Sequence, residues 1–350
     1  MTNLRRKKNE WNWTTFHNWK DRSNFSEKSI SIINQDTKIF GIGSCFAENV
    51  VKFCKSKGIQ ANFFPGSCRF YDLLSIKQVF EHLFDDEFYT MEDMWKTKDN
   101  LFRHPFRQPN KTYKTINALE KEDKQINNIA KSSILEADIV IITIGGSEIW
   151  RDKGTKRGFT TIPFPDVFNH QMPDLAEVYE LKHSEQLEYL NYIKNILRRV
   201  NPKSKLIFTV SPHRMTFTVT DKHIYEATCS SKSTIRSALN EFFSEKPKNC
   251  YYFRSYELIE YFEYPSIVFD ENFAHVNSIA IELVMNTFMK NFADANFYNI
   301  EEYKKVIKLI SDNKASEAIK NLAYKQKQEY RHLDLIEKIK KAYLLMKRIF

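Results

Sequence analysis

The chain has 350 residues, 42% of them apolar and 14% aromatic, with only eight glycines, which excludes a disordered or collagen-like polymer and leaves room for a full core. Its formal charge of +9 sits at the ends: residues 301–350 hold 13 Lys/Arg against 7 Asp/Glu and residues 1–36 hold 7 against 4, so residues 37–300 are balanced at 33 of each. A domain that reads nucleic acid normally carries the basic excess itself, so no nucleic-acid partner is expected.

Residues 1–36 read as an aromatic-rich arm, with Trp11, Trp13, Phe16 and Trp19 in a polar background. Its opening Met-Thr-Asn-Leu-Arg-Arg-Lys-Lys lacks an apolar h-region, and a reduced, cytoplasmic setting is expected. A domain over 37–297 then alternates apolar β-rich runs with helical patterns. The runs are Lys38–Gly43, Gln60–Phe64, Ala137–Gly145, Lys205–Ser211 and Tyr251–Tyr256. The helical patterns include Ala47–Ser56, Leu74–Phe84, Ser184–Val200, Ser233–Phe243 and Ile279–Phe292. This alternation predicts an α/β fold, a mostly parallel sheet between helical layers, with any ligand beyond the carboxyl ends of the strands. Residues 298–350 read as a basic helical C-terminal extension. Its segment Lys338–Arg348 is read first as a solvated face with a core stripe, and second as a contact for an anionic membrane surface or an acidic partner.

Five cysteines (Cys45, Cys54, Cys68, Cys229, Cys250) lack C-x-x-C spacing, which argues against disulfides and a zinc site, so neither metal nor cofactor is expected. No stretch approaches the ~18 apolar residues of a membrane span.

The chemistry gathers at the strand ends. Gly43-Ser44 closes the first run and opens a helix, which puts a hydroxyl among the free amides of a helix N-terminus, as serine nucleophiles require. Most Gly-Ser turns are only turns. Two of the nine histidines fall at carboxyl-edge positions, His213 and His275, the latter just upstream of a helix capped by Asn277 or Ser278. Arg214 is read either as a substrate anion binder or as an edge arginine paired with Glu148 or Asp270. Glu148 and Trp150 are candidate pocket walls, although packed tryptophans at strand ends are commoner. Cys45 is read as a small core residue and not as a nucleophile.

Five ordered blocks then carry a resemblance: Gly43-Ser44-Cys45-Phe46-Ala47-Glu48-Asn49, Thr143–Trp150, Thr209-Val-Ser-Pro212 with Arg214, Ser230–Arg236 and Tyr252–Glu257. With the late histidine loop, they resemble the GSCFA family, a branch related to the SGNH/GDSL hydrolases and transferases, from residue 39 to about 290. The resemblance implies an SGNH-like three-layer α/β/α sandwich, Ser44 as nucleophile and His275 as general base. It implies an oxyanion hole from Ser44 N–H, Gly66 and the Gly145-Gly146-Ser147 block, where relatives have Gly-x-Asn. Read from the residues themselves, Glu148, Trp150, His213 and Arg214 are the candidate substrate-binding side chains. SGNH enzymes place aspartate three residues before the histidine, where this chain has Asn272. Three explanations stand: Asp270 is the acid, the site is a Ser-His dyad, or it is degenerate. The expected activity is an esterase/deacetylase or O-acyltransferase acting on a sugar hydroxyl, with a carbohydrate or acylated small molecule as partner. The alternative is a non-catalytic binding or scaffold protein in surface-polysaccharide assembly.

Overall fold

The computed structural model describes residues 30–85, 88–107, 111–163, 175–261, 268–270, 272–294 and 301. The aromatic residues of the N-terminal arm and the basic C-terminal helices lie outside the described residues.

Strand β1 (Lys38–Gly43) leads into α1 (Cys45–Ser56), and β2 (Gln60–Phe63) into α2 (Leu73–Phe84). A hairpin, β3 (Trp95–Lys96) and β4 (Phe102–Arg103), precedes the 21-residue α3 (Ile116–Glu136) and the central strand β5 (Ile139–Ile144). Three short strands follow: β6 (Glu148–Asp152), β7 (Gly158–Phe159) and β8 (Ala176–Glu180). Then come α4 (His183–Val200), β9 (Lys205–Val210), α5 (Ile224–Ser244), β10 (Cys250–Phe253), α6 (Ser255–Glu260) and α7 (Ser278–Phe292).

The main sheet is β10-β9-β5-β1-β2, every pair parallel. Counted along the chain this is the order 2-1-3-4-5: the chain leaves β1 toward one edge, then returns to build the other side from β5. The reversal opens a crevice between the carboxyl ends of β1 and β5, which is where open α/β sheets bind ligands.

Alternate strand residues feed two cores, as the period of two demands. Ile39, Ile141 and Ile207 point into a layer with α1, α6 and α7. Phe40, Ile42, Val140, Ile142, Ile144, Phe208 and Val210 point into the opposite layer with α2, α3, α4 and α5. Each such side chain withdrawn from water contributes about 1.5–3 kcal/mol, which explains why β5 is apolar at nearly every position. The result is the expected α/β/α sandwich.

Several expectations shift. The last run, expected over Tyr251–Tyr256, ends at Phe253, because Ser255 starts α6 instead of continuing the strand. Helix α5 begins at Ile224, nine residues ahead of the expected Ser233. Helix α3, the β3–β4 hairpin and the antiparallel sheet β7-β6-β8 were not anticipated. Their short strands rest on a separate cluster of Tyr89, Met94, Trp95, Phe106, Leu119 and Phe159. Among the described residues no helix is long and apolar enough to cross a membrane.

Candidate functional site

Gly43 shows why this turn needs its glycine. Its φ is +132°, and a Cβ there would lie 2.1 Å from the Thr143 carbonyl oxygen. No L side chain tolerates both. The tight approach lets Ser44 N–H donate to Thr143 O at 3.2 Å and to Thr143 Oγ1 at 3.0 Å. Ser44 caps α1, its Oγ accepting from Phe46 N at 3.3 Å, and the same Oγ lies 3.0 Å from Thr143 Oγ1. The hydroxyl therefore sits in the β1/β5 crevice, at the positive end of a helix. Ser44 is only 1% exposed. Cys45, expected in the core, is instead half-buried, its thiol pushed up by burial with Arg69 acting the other way.

The third-strand block closes over this crevice. The amides of Gly145 and Gly146 both donate to Tyr71 O, at 2.7 and 2.9 Å, and Ser147 N–H donates to Ser231 Oγ at 2.7 Å. All three amides thus have protein acceptors. Gly66 (φ +72°) lies in the Pro65–Ser67 turn against Ile126 of α3, where a Cβ would meet Ile126 Cδ1 at 2.8 Å. It borders a cavity of about 40 Å³ with Cys68, His104, Arg107 and Asp123.

The histidine loop lies beyond β9. Asn272 Oδ1 accepts from the backbone amides of Ala274 and His275, at 3.0 and 3.3 Å, which turns its Nδ2 toward His275 Nδ1 at 3.4 Å. Asp270 contributes its backbone, its N–H donating to His275 O at 2.8 Å, and its side chain is exposed. His275 is exposed, and among the described residues no hydrogen bond joins it to Ser44. Asn277 caps α7, as expected, accepting from Ala280 N at 3.1 Å.

His213 stands between the two halves of the site. Its ring meets Phe46 edge-on at 6.3 Å and His275 at 5.3 Å. Its Nδ1 accepts from Val276 N–H at 3.2 Å, so the neutral ring carries its proton on Nε2, which is buried without a protein partner. Burial above all, with the charges of His275 and Lys232, pushes this imidazole down to about 3.

Arg214 pairs with neither Glu148 nor Asp270. It grips Glu260 through Nε and Nη2, stacks on Phe269 at 4.1 Å and donates its backbone N–H to the Ala274 carbonyl at 2.8 Å. It is a strut of the histidine loop. Glu148 accepts from Thr218 Oγ1 and Val219 N, holding the loop after β9 to β6. Trp150 lies within β6, paired with Phe159, with its Nε1 buried and unpartnered.

The fold thus gathers Ser44, Gly145, His213, His275, Asn272 and Arg214 along the ends of β1, β5 and β9. Gly66 packs on α3, and Trp150 belongs to the small sheet. Thr143 and Lys232 were not singled out from sequence. Thr143 is the lone hydroxyl in Ile139–Ile144, a signal hidden because threonine is also a good strand former. Lys232 was quoted only as part of the Ser230–Arg236 block. Among the described residues, no cluster of three or more His, Cys, Asp or Glu could hold a metal ion.

The profile of the GSCFA family matches residues 38–288, spanning all five blocks and the histidine loop. The chain belongs to the GSCFA family. This GSCFA chain is also similar to a solved structure, an acetyl xylan esterase (Est2A) from the rumen bacterium Butyrivibrio proteoclasticus, at 10% identity and a TM-score of 0.28. That alignment covers 62% of this chain and 55% of the esterase, so the chain spans little more than half of its neighbour. No curated protein matches.

Proposed function

We propose that the chain is a serine-dependent acyl-ester enzyme, an esterase or O-acyltransferase acting on a sugar hydroxyl through an acyl-Ser44 intermediate. The observation that carries this reading is the position of Ser44, capping α1 inside the β1/β5 crevice. Ser44 Oγ attacks the acyl carbonyl as the His275 imidazole takes the hydroxyl proton. The C–O bond of the ester then breaks, and the departing sugar oxygen leaves with that proton. Water or a second hydroxyl reverses the sequence. The developing oxyanion forms at the positive N-terminal end of α1, which Ser44 caps.

A sugar substrate is supported by the exposed rings that follow strand ends on this face, Tyr71, Phe217 and Phe273. Flat amphipathic rings beside polar groups suit a pyranose, whereas a long acyl chain calls for an aliphatic groove. Among the exposed aliphatics, Leu135 lies at the opposite sheet edge, one turn before β5 begins.

A second reading, a binding protein that retains the sandwich, is favoured by the burial of Ser44 and by Asn272 at the acid position. A fluorophosphonate probe separates the two. The enzyme reading expects wild type to label and Ser44→Ala not to, together with release of acetate from an acetylated oligosaccharide. Absence of label at native Ser44 favours the binding protein.

A further inference from the structure

Lys232 has no exposed surface, yet it reaches the heart of the site from α5. Its Nζ donates to Gly145 O at 2.6 Å and to Ser211 O at 2.8 Å. Those carbonyls lie one residue past β5, which borders the crevice, and its neighbour β9. Gly145 lies two residues beyond Thr143, which holds both the amide and the hydroxyl of Ser44. Ser211 lies two residues before His213, whose Nδ1 holds Val276 beside His275. The preceding residue, Ser231, accepts from Ser147 N–H. One turn of α5 therefore ties the end of β5, whose Thr143 holds Ser44, to the end of β9, which leads to His213.

Burying an ammonium is expensive unless a counter-ion or a function compensates it. Among the described residues no carboxylate is hydrogen-bonded to Lys232. The groups that face it are Cys45 on α1, whose thiol burial keeps protonated, His213 after β9, which burial keeps neutral, and Glu260 at the end of α6, which Arg214 already grips. Two carbonyl dipoles thus hold a cation a few residues from where an oxyanion would form. A fixed charge there favours the transition state over the neutral ester, because it needs no reorganisation as the negative charge develops.

We infer that Lys232 is the positioning cation of this site: it locks the ends of β5 and β9 together and supplies the positive field that favours the acyl oxyanion, a role that rests on the acyl-Ser44 reading. Within the Ser230–Arg236 block, Ser231 and Lys232 are the two polar residues that α5 turns inward.

The test is the rate at which a fluorophosphonate labels Ser44. In that reaction the Oγ–P bond forms, the P–F bond breaks, fluoride leaves and the hydroxyl proton passes to His275. Lys232→Met, folded by circular dichroism, should label about 10- to 100-fold more slowly. Burial pushes the ammonium down to about 7, so the wild-type rate should decline as pH rises past the Lys232 titration, read independently by nitrogen-15 NMR of Nζ. Lys232→Arg, charged throughout, should lose that decline. Wild type that labels while Lys232→Met labels within twofold overturns the role of Lys232 and leaves the acyl-enzyme standing. Wild type that never labels overturns both. Should neither variant fold, a Lys232 titration with no matching bend in the wild-type rate overturns the inference, and a coincident bend supports it.

Discussion

The side-chain amide of Asn272 presents Nδ2 to Nδ1 of His275 at 3.4 Å, because its Oδ1 is held by two backbone amides. That polarity makes Nδ1 the acceptor and leaves the neutral ring's proton on Nε2. An aspartate would do the reverse, holding the proton on Nδ1 and freeing Nε2 as a base. In a buried serine-protease triad the equivalent change costs about 10⁴ in turnover. Here the imidazole is exposed and the contact long, and a bond of that kind is worth only ~1 kcal/mol. Asn272→Asp should therefore raise the rate on an aryl acetate by about tenfold. Asp270→Ala should leave the rate within twofold of about wild type, since its carboxylate does not meet the ring. A larger loss from Asp270→Ala would identify Asp270 as the working acid.

Arg214 acts on the same loop from behind. It holds Glu260, covers Phe269, which bridges to Val276, and fixes Ala274, the residue before His275. Its removal should misplace the imidazole without touching bound substrate. Arg214→Ala is expected to lower kcat about 10- to 100-fold while KM changes little, since ångström-scale misplacement alone costs that much. Steady-state kinetics on an aryl acetate would show it. A rise in KM with kcat intact would return Arg214 to the substrate-binding role first read from the sequence.

What was legible in the chain follows from what packing demands of it. β1, β5 and β9 are covered on both faces, so their apolar runs announce them. The Gly43-Ser44 turn was readable because a single backbone approach dictates it. β6 was not, since Glu148-Ile-Trp-Arg-Asp152 buries one residue fully and spends the others on ion pairs and loop contacts. The first turns of α5 were hidden for a related reason. Ser231 and Lys232 face inward, so a polar stretch that resembles a cap is a buried face. Polar residues on the buried face erase the amphipathic signal there. The pairing of Arg214 with Glu260 depends on α6 ending beside the histidine loop, a tertiary fact with no local pattern behind it.

The β1/β5 approach can be probed through its glycine. Gly43→Ala introduces a side chain at φ +132°, and its Cβ would overlap the Thr143 carbonyl. Relief requires β1 and β5 to part, which breaks the Ser44–Thr143 bonds as well. The expected cost is at least ~3 kcal/mol in urea unfolding, with loss of Ser44 labelling even in the folded fraction. Thr143→Val, which keeps the shape and removes only the hydroxyl, should cost about 1–2 kcal/mol. Equal stabilities for wild type and Gly43→Ala would contradict the close approach.

Acid stability should report two buried imidazoles. Burial first, with the charge of Arg107 assisting and Asp123 opposing, pushes His104 down to about 4, and His213 goes to about 3. In the unfolded chain each titrates near ~6.5. Above that pH both are neutral in both states and contribute no slope. As pH falls below it, the unfolded chain binds protons that the native state refuses, so stability declines by up to ~1.4 kcal/mol per pH unit per histidine. The decline from His104 ends near 4 and that from His213 near 3. Asp72 opposes them: burial raises it to about 6, so between that value and its unfolded ~3.9 the native state binds the extra proton and gains stability as pH falls. The net loss therefore builds as pH falls through ~6.5 and levels at about one histidine's slope below about 6, where Asp72 offsets the other. Lys232, at about 7 in the folded chain, adds a slope of the same sign near and above that value and none well below it, so the histidine share is read below about 6. Urea midpoints from pH 7.5 to 4.5 should trace this shape, and His213→Asn should remove about one histidine's share of the slope whatever its effect on absolute stability. An unchanged slope in that variant would mean that His213 is free to take up a proton in the folded protein, and with it that the contact to Val276 N–H does not hold the histidine loop.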